Sequence, residues 1–213
     1  MSTLQFSSYV VSTDPKISVI PDFLTPEECC HFINLAEKIG FTRSLVGRGA
    51  YASDSGDQSK FFINAESKNR TSLSVTLDPA MVETVATVEA RVAGLVQLPL
   101  ETLEKLVIVK YEPGQFFKPH SDGAFRRSTV FLYLNGVPRG EGGETSFPQL
   151  GLRIRPFAGG AVVWRNNMTD PTNGELKEDP RVVHEGLATT GDTVKYGINC
   201  FFNENVMRWT SGG

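Results

Sequence analysis

VKYGINCFF, residues 194 to 202, reads as one strand with two unlike faces. Alternation places Tyr196, Ile198, Cys200 and Phe202 on one side, and Lys195, Gly197, Asn199 and Phe201 on the other. The second set combines a cation, a glycine that leaves room and an amide that offers polar atoms. A lone lysine on a strand is ordinarily a solvated edge residue, so Lys195 needs a reason to face inward. Working outward, KLVIVKY (105–111), STVFLYL (128–134) and AVVW (161–164) are short β-branched or aromatic runs between Gly- and Pro-rich turns. Strands at this spacing predict an all-β sandwich or barrel with helices packed outside it.

The helices fall in the front third. Thr25-Pro26-Glu27-Glu28 puts Thr at the N-cap, Pro at the first helical position and Glu three residues after the cap. From there to about Ile39, Cys29, Phe32, Ile33 and Ala36 form an apolar stripe, with Glu27, His31, Asn34 and Lys38 opposite. Asp78-Pro79 signals a second start, leading into Met81, Val85, Val88, Val92 and Leu95. Residues 43–69, rich in Gly, Ser, Asp and Asn, read as a long mobile connection suited to a substrate lid, and Arg165 to Arg181 as a second long loop. The expected organisation is a single domain over 1–213, with N-terminal support over 1–100 and a β core over 101–205.

Composition bounds the functions. The chain has 213 residues, 40% hydrophobic and 21% charged, and a net charge of −3, which leaves no electrostatic footprint for nucleic acid or an anionic membrane. No apolar run approaches the roughly 20 residues of a membrane span. The first residues lack a basic segment followed by an apolar core. Three cysteines make no disulfide framework and suit a reducing compartment. A cytoplasmic protein with neither a nucleic-acid nor a membrane partner is expected; oligomeric state is not legible.

YEPGQFFKPHSDG (111–123) carries the chemistry. His120 and Asp122, two residues apart on an extended segment, face the same way and can reach one ion. Of the other two histidines, His31 reads as a solvated side chain on the polar helix face, leaving His184 in RVVHEG. Two histidines and a carboxylate with open positions form the facial triad of non-haem Fe(II) oxygenases. Zinc hydrolases use the same ligand types but need a positioned base, and alternation turns Glu185 away. A cupin-like module holding a structural metal is the non-enzymatic alternative. A co-substrate with a buried carboxylate requires a fixed cation, and Lys195 stands eleven residues after His184. Tyr133, between Leu132 and Leu134, can point its hydroxyl inward.

YEPGQFFKPHSDG, STVFLYLN, GGETSFP and VVHEG…VKY together resemble the successive motifs of the prolyl 4-hydroxylase branch of the Fe(II)/2-oxoglutarate oxygenases. The resemblance covers roughly residues 105–203 and extends weakly to ISVIPDFLTPEEC and to NRTS at 69–72. It implies an α+β, mainly β fold: a double-stranded β-helix (jelly-roll or cupin-like) core with N-terminal helices packed on one sheet. His120, Asp122 and His184 would ligate Fe(II). Lys195 would pair with the distal carboxylate of 2-oxoglutarate, with Tyr111, Tyr133, Thr145 and Asn199 around it. Arg126, Phe117, Phe201 and Arg70 would lie on the substrate side, with Arg70 helping a closed lid. Gly142 and Gly143 resemble turn glycines, Glu144 a structural residue, and Trp164 reads as barrel core.

The implied reaction is oxidative decarboxylation of 2-oxoglutarate by O2, with ascorbate as reductant. It is coupled to hydroxylation of peptidyl proline, with succinate and CO2 as co-products. The same chemistry on a small molecule such as a free amino acid is the alternative, and a nucleic-acid demethylase fits the acidic balance less well. Departures fall at the substrate side: Phe117 and Phe201 stand where relatives often have Tyr and Trp, and Asn203 where some have His. Lys195 also stands one residue later than usual after the distal His, which places an extra residue in the turn ATTGDT (188–193).

Overall fold

The computed structural model describes residues 6–48, 63–78 and 82–207. Two antiparallel strands open the chain, β1 (Tyr9–Thr13) and β2 (Lys16–Ile20). Helix α1 (Pro26–Ile39) then starts where the sequence signals it. The Glu28 amide donates to Thr25 Oγ1 at 3.2 Å and the Thr25 amide to Glu28 Oε2 at 2.9 Å, a reciprocal cap that satisfies two orphan donors. Cys29, Phe32 and Ala36 of the expected stripe are buried and Ile33 is half-buried.

Helix α2 spans Glu83–Val96, with Val85, Val88 and Val92 buried. It begins later than Asp78-Pro79 suggested, after a Val82 N-cap with no side-chain bond. Asp78 instead accepts from Lys105 Nζ at 2.7 Å, and Met81 lies outside the described residues. Arg91 of α2 grips Glu28 with two bonds of 2.7 and 2.8 Å, tying the start of one helix to the middle of the other.

Between the helices lie β3 (Thr42–Arg43), β4 (Val46–Arg48), β5 (Ile63–Ala65) and β6 (Leu73–Thr76). The expected loose connection at 43–69 is therefore anchored at its base, because β4 and β5 pair antiparallel from Val46↔Ala65 to Arg48↔Ile63. Residues 49–62, where a lid would close, lie outside the described residues.

The core strands follow: β7 (Val107–Tyr111), β8 (Phe117–His120), β9 (Arg126–Tyr133), β10 (Thr145–Phe147), β11 (Leu152–Ile154), β12 (Ala161–Arg165), β13 (Asn167–Thr169), β14 (Leu176–Glu178), β15 (His184–Gly186) and β16 (Lys195–Asn203). One sheet has the order β1-β2-β12-β9-β16-β7-β6-β3 and the facing sheet β11-β10-β15-β8. Strands distant in sequence are thus neighbours in space, as a double-stranded β-helix requires. The loop expected from Arg165 to Arg181 contains the β13–β14 hairpin. Its turn is built by Asp170, which accepts from the Thr172 amide and hydroxyl and pairs with Lys177 at 2.7 Å. Polar turn residues had masked two three-residue strands.

The large sheet has one apolar face for the helices and one for the barrel interior. Ile20, Ile108, Val130, Leu132, Ile198, Cys200 and Phe202 pack with α1 and α2. Ile17, Val109, Phe131, Tyr133, Val162 and Trp164 face inward against Phe147 and Ile154 of the small sheet. The alternation read in VKYGINCFF therefore holds, with Lys195 only 1% exposed on the inner side. The extra residue after His184 is absorbed before β16. Thr190 N donates to Glu141 O at 2.7 Å, Gly142 bridges Thr189, and Thr193 Oγ1 donates to Glu141 Oε2. Gly142 has φ +76°, and a Cβ there would lie 2.4 Å from Ala188 O, so only glycine lets the two turns meet.

Candidate active site

β8 and β15 are antiparallel neighbours in which His120 stands directly opposite His184. The ladder thereby joins residues 64 apart in sequence. Asp122 follows β8 and turns back beneath the imidazoles: its oxygens lie 3.9 Å from His120 Nε2 and 3.7 Å from His184 Nε2. The three donor atoms all fall within 4.8 Å of one another, so one ion can touch all three.

Each imidazole is oriented by the carbonyl two residues before it. His120 Nδ1 lies 2.9 Å from Lys118 O, and His184 Nδ1 lies 3.0 Å from Val182 O. A carbonyl has no proton to give, so each Nδ1 carries the hydrogen and each Nε2 presents a lone pair toward Asp122. Burial, then the neighbouring His184, pushes the His120 pKa down to about 3, which keeps that ring neutral and metal-competent. Burial opposes the charge on Asp122. The two imidazoles, Arg126 and a 2.7 Å bond from Thr129 Oγ1 outweigh it and hold the carboxyl below its ordinary range. Thr129 is in turn held by Asn166 Nδ2 at 2.8 Å. Imidazoles oriented through Nδ1 beside an ionised carboxylate are what a divalent first-row metal needs.

The triad opens onto a cavity of about 870 Å³ that also reaches Lys195, Tyr111, Thr145 and Asn199. Lys195 stands opposite Tyr111 across β16 and β7, and its Nζ lies 4.5 Å from the Tyr111 ring centroid. It donates to Gly143 O at 2.9 Å. Burial pulls its pKa down to about 8, with Glu144 opposing that shift. A buried ammonium bonded to one neutral carbonyl is poised to receive an anion.

Burial also raises the Tyr111 phenol above its usual value; Arg70 and a Ser72 hydrogen bond oppose this. Tyr133 is fully buried, its hydroxyl donating to Thr145 Oγ1 at 2.7 Å, so it supports Thr145 from behind and does not border the cavity. Gly197 does not leave room for a ligand either: a Cβ there would meet Phe131 Cζ at 2.4 Å, so the space it frees is filled by Phe131.

On the outer side, Phe117 stacks on His120 with centroids 3.5 Å apart, and the Arg70 guanidinium carbon sits 4.7 Å from the Phe117 centroid. Arg126 grips Glu104 with bonds of 2.8 and 2.9 Å and lies 3.7 Å over Phe201. Asn203 Nδ2 donates to the same Glu104 carboxylate. All of the expected site residues except Tyr133 border this one cavity.

Several residues near the site carried no signal in the sequence. Glu104 and Thr129 hold Arg126 and Asp122 in place, yet no motif spacing links them to their partners, whereas Ser72 lies in the NRTS stretch beside its partner Arg70. Trp164, expected as barrel core, is that and a cavity wall as well, edge-on to His184 at 4.8 Å. Glu185 also borders the cavity, but it adds no donor to the triad. His31 is half-buried, not solvated: its Nε2 is enclosed without a hydrogen-bond partner among the described residues.

A double-stranded β-helix that aims two histidines, a carboxylate and a buried lysine into one cavity is the architecture of the non-haem Fe(II) oxygenases. The chain belongs to the 2OG-Fe(II) oxygenase superfamily, whose family model matches residues 106–203, and within it to the prolyl 4-hydroxylase-like proteins. It is 32% identical to probable prolyl 4-hydroxylase 6 of Arabidopsis thaliana, over 79% of this chain and 69% of that one. It is 36% identical to probable prolyl 4-hydroxylase 7 of the same plant, over 84% and 63%. The chain spans about three-fifths of the length of several other curated relatives that it matches. Among solved structures it matches a viral collagen prolyl hydroxylase of Paramecium Bursaria Chlorella virus-1, solved with 2OG. The TM-score is 0.65 at 23% identity, over 87% of this chain and 94% of that one, a likeness of fold. Among the described residues, no helix is long and apolar enough to cross a membrane.

Proposed function

We propose that the protein is an Fe(II)- and 2-oxoglutarate-dependent dioxygenase that hydroxylates peptidyl proline. The observation that carries this reading is the buried Lys195 in the same cavity as the His120–Asp122–His184 triad. A structural metal site has no use for an unpaired buried cation, and a zinc hydrolase has none either. Bound iron, with 2-oxoglutarate and O2, would supply the oxidising power for hydroxylation and release succinate and CO2, with ascorbate keeping the metal reduced. The chain's own residues bind, orient and exclude water. His120, Asp122 and His184 hold the metal through Nε2 and carboxylate oxygen. Lys195 holds the far carboxylate of the co-substrate, with Tyr111, Thr145 and Asn199 lining its berth and Tyr133 fixing Thr145. Phe117, Phe131 and Trp164 wall the site and keep it dry.

Substrate approaches from the side of Arg70, Arg126, Phe117 and Phe201. A prolyl substrate is supported by the prolyl 4-hydroxylase relatives and by a cavity that extends well beyond the triad to Thr42, Ser74 and Val107. That length suits an extended peptide better than a free amino acid. A cytosolic setting is part of the proposal and rests on a cysteine count of three, too few for a disulfide framework. Mass spectrometry of proline-containing peptides after incubation with Fe(II), 2-oxoglutarate and ascorbate tests it: +16 Da on proline supports the reading. Hydroxylation of free amino acids alone would move it to a small-molecule enzyme.

A further inference from the structure

One wall of the cavity carries two guanidinium groups that make no hydrogen bond or ion pair to a carboxylate among the described residues. Arg43 donates to Thr71 O at 3.1 Å. Arg70 donates to Ser72 Oγ at 3.1 Å and to Leu45 O at 3.2 Å. These bonds cross, each arginine reaching the backbone of the segment that carries the other, and both side chains border the cavity. By contrast Arg91, Arg126 and Arg181 each hold a carboxylate. Of the acidic groups on the cavity, Asp122 favours the charged form of Arg70 from a distance but belongs to the triad, Glu104 is taken by Arg126 and Asn203, and Glu178 and Glu185 lie on β14 and β15.

Carbonyl and hydroxyl oxygens satisfy the donors of a half-buried arginine but do not neutralise it. Phe117 touches both groups, with the Arg70 guanidinium carbon 4.7 Å and the His120 ring centroid 3.5 Å from its own centroid. The Arg70 head therefore lies no more than about 8 Å from the His120 ring, within reach of one or two residues of extended chain at about 3.3 Å each.

We propose that Arg43 and Arg70 form a carboxylate-binding subsite that selects peptides with an acidic residue one or two positions from the target proline. The inference rests on the peptidyl reading above and names the class of peptide. The test uses three labelled peptides of equal length with Glu, Gln or Lys beside the proline. Their binding to the protein loaded with Mn(II) and 2-oxoglutarate is followed by fluorescence anisotropy, and their hydroxylation by the Fe(II) enzyme is scored by mass.

The Glu peptide binds at least about tenfold more tightly than the Gln peptide at low salt, the scale of a charge-assisted pair. Arg43→Gln removes that preference, and Arg43→Glu shifts it toward the Lys peptide. Equal binding of the Glu and Gln peptides, or a preference that survives Arg43→Gln, overturns the subsite. Equal hydroxylation of all three together with equal binding leaves the prolyl reading standing and the subsite refuted. Failure of every peptide to bind or react, with a free amino acid accepted, refutes both, and the two arginines would then be serving the amino acid's own carboxylate.

Discussion

Lys195→Met should make the protein more stable and unable to use 2-oxoglutarate. The ammonium is 1% exposed, and burial lowers its pKa from an ordinary 10.5 to about 8. At 1.36 kcal/mol per unit, holding the proton inside the folded protein costs about 3 kcal/mol near neutral pH. Met fills similar volume but forfeits the charge-assisted bond to Gly143 O, worth about 2 kcal/mol. The net gain is about 1 kcal/mol, or roughly 2–4 °C in Tm for a chain of this size.

The sign of the pH dependence follows from the same shift. Between pH 8 and 10.5 the unfolded chain keeps a proton that the folded protein has released, so wild-type stability rises with pH there. The advantage of Met therefore shrinks across that window. Thermal unfolding of metal-free wild type and variant at pH 7 and pH 10, each with and without 2-oxoglutarate, makes the check. At about 100 times its dissociation constant the co-substrate adds about 2.7 kcal/mol to the wild type and nothing to the variant. A variant less stable than wild type at pH 7, or one still stabilised by 2-oxoglutarate, would refute the idea that Lys195 is a charge stored for an anion.

Further outcomes follow from other parts of the structure. Thr129→Val removes the hydroxyl that aims Asp122, and should weaken Fe(II) or Mn(II) binding by about 10- to 100-fold by calorimetry, with Tm lowered by several degrees because Asn166 Nδ2 loses its acceptor. Arg91→Met should cost about 1 kcal/mol at pH 7, because the Glu28 pair is only half-buried. Arg91 holds the Glu28 pKa below its ordinary value, so that contribution is present at neutral pH. It fades as pH falls through the lowered pKa, and urea melts at pH 7 and pH 3 should show the gap closing. Phe32→Ala empties a fully buried site under the large sheet and should cost about 3–5 kcal/mol in the same melts.

Much of this arrangement was legible because a strand converts sequence parity into spatial side. Parity alone set Lys195 and Ile198 on opposite faces and His120 and Asp122 on one side; the triad supplied the reason for Lys195 to turn inward. The capping box of α1 was equally readable, since its partners are three residues apart. What could not be read depends on contacts between distant segments. Nothing near Arg126 in sequence announces Glu104, and nothing near Asp122 announces that Thr129 will turn its hydroxyl inward. Gly197 shows the other limit: an absent side chain reveals that space is needed, but here Phe131 takes it and not a ligand. Helix α2 shows the first limit: it starts at Glu83, while Asp78, the cap residue the sequence suggests, pairs with Lys105, far along the chain.

The central claim is that the triad and Lys195 work together on 2-oxoglutarate, and succinate formation tests it most directly. Fe(II)-loaded protein is incubated with 2-oxoglutarate, ascorbate and O2, with and without a proline-containing peptide. Succinate production that the peptide stimulates, matched by +16 Da on proline and abolished in Asp122→Ala, is the predicted result. No succinate in any mixture, despite bound iron, would contradict the account.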